Sequence, residues 1–172
     1  MNSCGRGNLP LYSGYMAATP AALIGGSPTP LCLPTAHSSS SSLPSARTTN
    51  ILLPVVVDVT SVITSPLGPL NRQALQCVMC EYPQSQIVML PATTACPPGW
   101  TALNHGWLMS ASQENDKRSL DMVCLDVKSV ATAISVSQAA TFIDHVVMHC
   151  TGCSPLPNYT AHKPLECVIC AK

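Results

Sequence analysis

The chain has 172 residues, 47% of them hydrophobic but only 4% aromatic, with eight basic and eight acidic side chains that cancel. Charged residues are 9% of the total, against an ordinary share of about 25%. Such a neutral chain has no electrostatic footprint for nucleic acid or an anionic membrane, and its weak colloidal repulsion favours self-association.

The length suits one domain or two small ones, and units of about 80 residues would need staples to supplement a small core. The composition supplies them. Ten cysteines, an even number, stand in a chain with 16 prolines, which predicts disulfides and an oxidising, extracellular setting. Met1–Pro10 (MNSCGRGNLP) has no apolar core of the kind a signal peptide needs. Secretion therefore implies a fragment, a processed form or a displaced start.

Residues 34–50 read as a Ser/Pro-rich loop, densest in serine over His37–Ser45. The most apolar run, Ile51–Ile63, is interrupted by Pro54 and Asp58 and is too short to span a bilayer. Ile87–Pro91, Leu103–Met109, Leu120–Val127 and Val146–Cys150 are short and rich in Val, Met and aromatics. Pro, Gly, Ser and Asn bound them, which is the pattern of strands and turns. Gly14 and Gly106 each precede an aromatic inside a strand-like run, where a glycine predicts a bulge or a close backbone approach. Glu114–Arg118 (ENDKR) reads as a solvated turn between strands. Val130–Ala140 fits helix or strand by periodicity alone.

Self-comparison exposes a duplication. Cys4, Leu11, Gly14, Tyr15 and Cys32 align with Cys96, Leu103, Gly106, Trp107 and Cys124, each pair 92 positions apart. Leu31-Cys32-Leu33 corresponds to Val123-Cys124-Leu125. Each unit closes on a Cys-x-x-Cys, Cys77–Cys80 in one and Cys167–Cys170 in the other, at an offset of 90. The units are residues 1–82 and 83–172. Cys150 and Cys153 belong to the second unit alone, and their spacing makes a local bridge the economical pairing.

Several residues invite a chemical reading. Cys150-x2-Cys153-x13-Cys167-x2-Cys170 has the spacing of a structural zinc site. Against it, Cys77/Cys80 has no partner knuckle at that spacing, and zinc leaves Cys4, Cys32, Cys96 and Cys124 without a role. His145 and His149 would share a face of a helix and could chelate a metal, but TFIDHVVMHC favours a strand, where they sit too far apart. Neither Cys-x-x-Cys opens a helix after a strand, as a thioredoxin-like redox pair does. There is no nucleophile elbow, phosphate loop or HExxH. The expectation is a protein that is not an enzyme, with no cofactor and no resident metal. Asn158-Tyr159-Thr160 is a glycosylation sequon held in a loop by Pro155 and Pro157.

The run CVMCEYPQSQIVMLPATTACPPGWTALNHGWLMSA, followed by MVCLDV and LECVICAK, closely resembles the C-terminal domain of spongin-type short-chain collagens. That domain is in turn similar to the C-terminal noncollagenous domain of type IV collagen. The shared signature is a Cys-Pro-x-Gly (Cys96–Gly99), a Gly-aromatic strand (Gly106-Trp107), an x-Cys-Leu strand (Cys124-Leu125) and the closing Cys-x-x-Cys. LYSGYMA, LCLP and QCVMC repeat it in the first unit. The likeness is specific from Gln76 onward and patchy between Ala18 and Gln76. No Gly-X-Y tract is present, so the sequence carries no collagen helix of its own.

The resemblance implies a mainly β fold of two tandem, similar subdomains built from short antiparallel strands. It also implies a pairing in which the first cysteine of each unit joins the last and the second joins the third: Cys4–Cys80, Cys32–Cys77, Cys96–Cys170 and Cys124–Cys167. Spacing alone leaves the connectivity open. The functional expectation is a secreted, glycosylated structural protein of the extracellular matrix that acts in chain association. Its partners would be copies of itself or other collagen-like chains, with no nucleic acid and no membrane. The alternatives are a secreted recognition module for glycans or matrix ligands and, further off, a zinc-stapled intracellular protein.

Overall fold

A computed structural model describes residues 4, 8–20, 27, 29–36, 51–58, 67–83, 86–111, 120–129, 131–135, 141–148 and 162–172, with only the backbone for 131–135. His37–Ser45, Glu114–Arg118, His149, Cys150, Cys153 and Asn158 lie outside these residues.

The fold is mainly β and its sheet is predominantly antiparallel. The strands are β1 (Pro10–Ala18), β2 (Leu31–Pro34), β3 (Leu53–Val57), β4 (Gln73–Cys80), β5 (Ile87–Pro91), β6 (Thr101–Ala111), β7 (Val123–Asp126), β8 (Ala131–Ser135), β9 (Thr141–His145) and β10 (Glu166–Ala171). A short 3-10 turn, Gly68–Leu70, precedes β4. Proline stands at the ends of three strands, where its missing N–H is tolerated: Pro10 opens β1, while Pro34 and Pro91 close β2 and β5; Pro54 is the second residue of β3. Val130–Ala140, ambiguous by periodicity, supplies strand β8, paired to β4 through Gln73↔Ser135 and Leu75↔Ala131. Pairing partners far away in sequence decide that choice.

Along the sheet the order is β2-β1-β4-β3-β9-β6-β10-β5, with β7 on β6 and β8 on β4. The sheet therefore crosses the boundary between the two sequence units. β3 pairs in parallel with β9 through Val55↔Thr141, Val56↔Phe142 and Val57↔Ile143. Val55, Val56 and Val57 are all fully buried. A short unbroken apolar run of this kind suits a strand covered on both faces.

The core draws on both units. Ala18, Val55, Val57, Leu67 and Leu75 pack in one cluster with Met109, Ala111, Leu120, Leu125 and Ile143. Burying a side chain such as Leu75, Met109 or Ile143 is worth about 1.5–3 kcal/mol each. Thr141, a buried polar side chain, donates its hydroxyl to the Thr19 carbonyl at 3.3 Å. Arg72 also ties the units together. Its backbone has φ 60°, its guanidinium meets Asp58 at 3.1 Å, and that group lies 4.9 Å from the centroid of the Phe142 ring.

Candidate functional site: the disulfide frame

Cys4 is bonded to Cys80, Cys32 to Cys77, Cys96 to Cys170 and Cys124 to Cys167, with Cα–Cα distances of 5.7–5.8 Å. These are the pairs implied by the resemblance. Cys150 and Cys153 are outside the described residues. Cys167 and Cys170 sit in separate disulfides, which removes them as thiolate ligands of a zinc site spanning Cys150–Cys170. Among the described residues no group of three or more His, Cys, Asp or Glu could hold a metal ion.

The two inner bridges have an unusual geometric demand. β1 lies between β2 and β4, with Gly14 opposite both Pro34 and Cys77 and with Met16 opposite Cys32. Strands that flank a common neighbour in a flat sheet are about 9.5 Å apart, too far for a disulfide, which needs Cα atoms within about 7 Å. The observed 5.8 Å between Cys32 and Cys77 requires β2 to fold over β1. Gly14 permits this, because a Cβ there would overlap the Leu33 carbonyl group. The second unit repeats the device. Gly106 opposes Asp126 and Cys167, Leu108 opposes Cys124, and a Cβ on Gly106 would overlap the Leu125 carbonyl. The close backbone approach predicted for these glycines thus has a definite purpose: it lets a disulfide reach across a strand.

Around this shared frame the surroundings differ. Tyr12 donates its hydroxyl to the Cys32 carbonyl at 3.1 Å, holding β2 over β1. Its counterpart in the second unit is Asn104, whose buried Oδ1 has no hydrogen-bond partner among the described residues. Tyr15, Leu31 and Leu33 share one face of the sheet and remain 41%, 48% and 39% exposed. Their counterparts are Trp107, Val123 and Leu125; Leu125 is buried, and the other two pack against the core. The ring of His145 stands edge-on to Trp107 at 5.4 Å. His145 closes strand β9, in accord with the strand reading of this segment. Burial lowers its pKa from the ordinary 6.5, and the neighbouring Asp144 carboxylate opposes that shift.

The sequence flagged the cysteines and glycines but not the contact between Trp107 and His145 or the openness of Tyr15, Leu31 and Leu33. No linear signal could reveal them, because both depend on how strands distant in sequence pack together.

The chain matches no protein-family model, no curated protein and no solved structure. The four disulfides among the described residues belong to an oxidising environment such as the secretory route or the extracellular space. Among the described residues no helix is long and apolar enough to cross a membrane.

Proposed function

We propose that this chain is a structural module of the extracellular matrix, a collagen-type C-terminal noncollagenous domain that acts in chain association or matrix assembly. The observation that carries this reading is the duplicated disulfide frame, in which a glycine under a crossing strand and two nested bridges recur in the same order in both units. A frame repeated at this cost in cysteine suits a part that must keep its shape outside the cell. Supporting it, both terminal strands of the sheet expose apolar side chains, Leu31 and Leu33 on β2 and Ile87 and Val88 on β5. Exposed apolar edge strands invite association with another chain. The near-absence of charge weakens repulsion between copies.

Sedimentation of the purified, oxidised protein, alone and mixed with collagenous matrix chains, tests the proposal. Concentration-dependent oligomers or co-sedimentation are expected. A strictly monomeric protein that leaves matrix chains in the supernatant would overturn it.

A further inference from the structure

Strand β10 is paired on both sides. Over Cys167–Ala171 it meets β6 along one edge and β5 along the other. β4 carries the same Cys-x-x-Cys at an offset of 90 and is paired to β1 as β10 is paired to β6. Its second edge is different. Among the described residues the other partners of β4 meet only its start, β8 at Gln73 and Leu75 and β3 at Ala74. From Gln76 to Cys80, no strand among the described residues pairs with the edge turned away from β1.

Backbone polarity shows that this edge is competent. The Glu81 N–H donates to the Leu9 carbonyl at 2.9 Å. Alternation along an antiparallel strand then turns the amides of Met79 and Cys77 towards β1 and those of Val78 and Cys80 outward. On β10, Lys172 and Gln86 exchange hydrogen bonds of 3.1 and 3.3 Å, and the Ala92 N–H donates to the Glu166 carbonyl at 2.8 Å. By the same alternation Val168 and Cys170, the counterparts of Val78 and Cys80, present their amides to β5. The outer edge of β4 thus offers the same hydrogen-bonding groups that hold β5 on β10.

We propose that the outer edge of β4, Gln76–Glu81, is a strand-docking site for an extended, uncharged, apolar peptide strand of β5 character, bound antiparallel. The β5 register on β10 sets the register on β4: the bound strand's counterpart of Val88 lies opposite Cys80, and its counterpart of Leu90 opposite Val78. Ile87–Pro91 (IVMLP) carries no charge, and neither does Gln76–Cys80. The site has no lysine or proline of the kind that blocks edge addition. Met79, 43% exposed, extends its apolar surface. Disulfides at Cys77 and Cys80 hold the strand in place before anything binds, which reduces the ordering cost of association. The inference stands on this pairing geometry and does not depend on the matrix reading.

The test is amide hydrogen exchange on the full oxidised chain, with and without a synthetic peptide of sequence Gln86–Ala92 flanked by lysines for solubility. The expected result is fast exchange at Val78 and Cys80 in the free protein and at least about tenfold slower exchange with peptide, as edge pairing protects amides. A peptide N-methylated at its counterparts of Val88 and Leu90, which cannot donate those two bonds, is expected to give no protection. Slow exchange at Val78 and Cys80 before peptide is added would overturn the proposal. So would protection confined to β10, or equal protection by the N-methylated peptide.

Discussion

The two sequence units share four equivalent cysteines paired in the same way, yet one face of that frame is covered in the second unit and open in the first. Trp107, Val123 and Leu125 lie in or against the core, whereas Tyr15, Leu31 and Leu33 stand out in solvent. Only the closing Cys-x-x-Cys pairs follow the same division: Cys167 and Cys170 are fully buried, while Cys77 and Cys80 are half-buried, as are Cys4, Cys32, Cys96 and Cys124. The disulfide frame thus determines how three strands cross, and the strands docked against it decide what that crossing buries.

The largest expected effects come from the inner bridges. Cys32–Cys77 and Cys124–Cys167 span 45 and 43 residues, so in the chain-entropy model each restrains the unfolded chain by about 4 kcal/mol. Replacing both cysteines of a pair by alanine should therefore cost similar amounts from that source. The second pair should cost more in total, because truncating buried Cys167 also leaves a cavity. Denaturant unfolding of the two double variants measures the difference. Equal losses would mean that the native packing around the bridges is alike after all.

Gly106→Ala comes next. Its Cβ collides with backbone at Leu125, which is anchored in the core, so relief requires β7 to move. A loss of about 3 kcal/mol is expected, at the upper end for overpacking. Gly14→Ala should cost less, since β2 lies at the sheet terminus. Unfolding midpoints together with peptide maps of the disulfides would test this. A Gly106→Ala protein that oxidises normally and keeps its stability would refute the crossing-strand account.

Leu125→Ala and Leu33→Ala probe the cover itself. Truncating the buried leucine should cost about 2–4 kcal/mol, and truncating its exposed counterpart about 0.5 kcal/mol or less. Comparable losses in urea unfolding would show that the first unit's face is covered in solution.

The smallest effect concerns His145, which has no histidine counterpart in the first unit. Its folded pKa lies below 6.5, so as the pH falls through that value the unfolded chain takes up a proton before the folded chain does. Stability is therefore expected to fall between about pH 7 and pH 5. His145→Gln should flatten that part of the Tm–pH profile. An unchanged slope in the variant would assign the pH dependence to other groups.

Much of the frame was legible in the chain, because disulfides and strand punctuation leave local marks. Ile87–Pro91 reads directly as a strand and is one, with the same limits. Leu103–Met109 lies inside the longer β6, and Leu120–Val127 contains β7. The 92-residue offset marks Gly14 and Gly106 as equivalent, and the structure gives both the same close approach. Less legible was Val130–Ala140, where periodicity allowed two answers and pairing to β4 selected one.

The sequence by itself determined the β character of the chain, its repeat, its oxidising chemistry and the positions where glycine is needed, since these depend on residue type and spacing. Tertiary structure alone decided that β3 and β9 join the two units, that His145 covers Trp107 while Tyr15 stays open, and that β5 pairs with β10 and not with β4. The physical reason is that strand pairing is a long-range choice among edges with nearly identical backbone groups. Packing on either side of the sheet, which no local window contains, makes that choice.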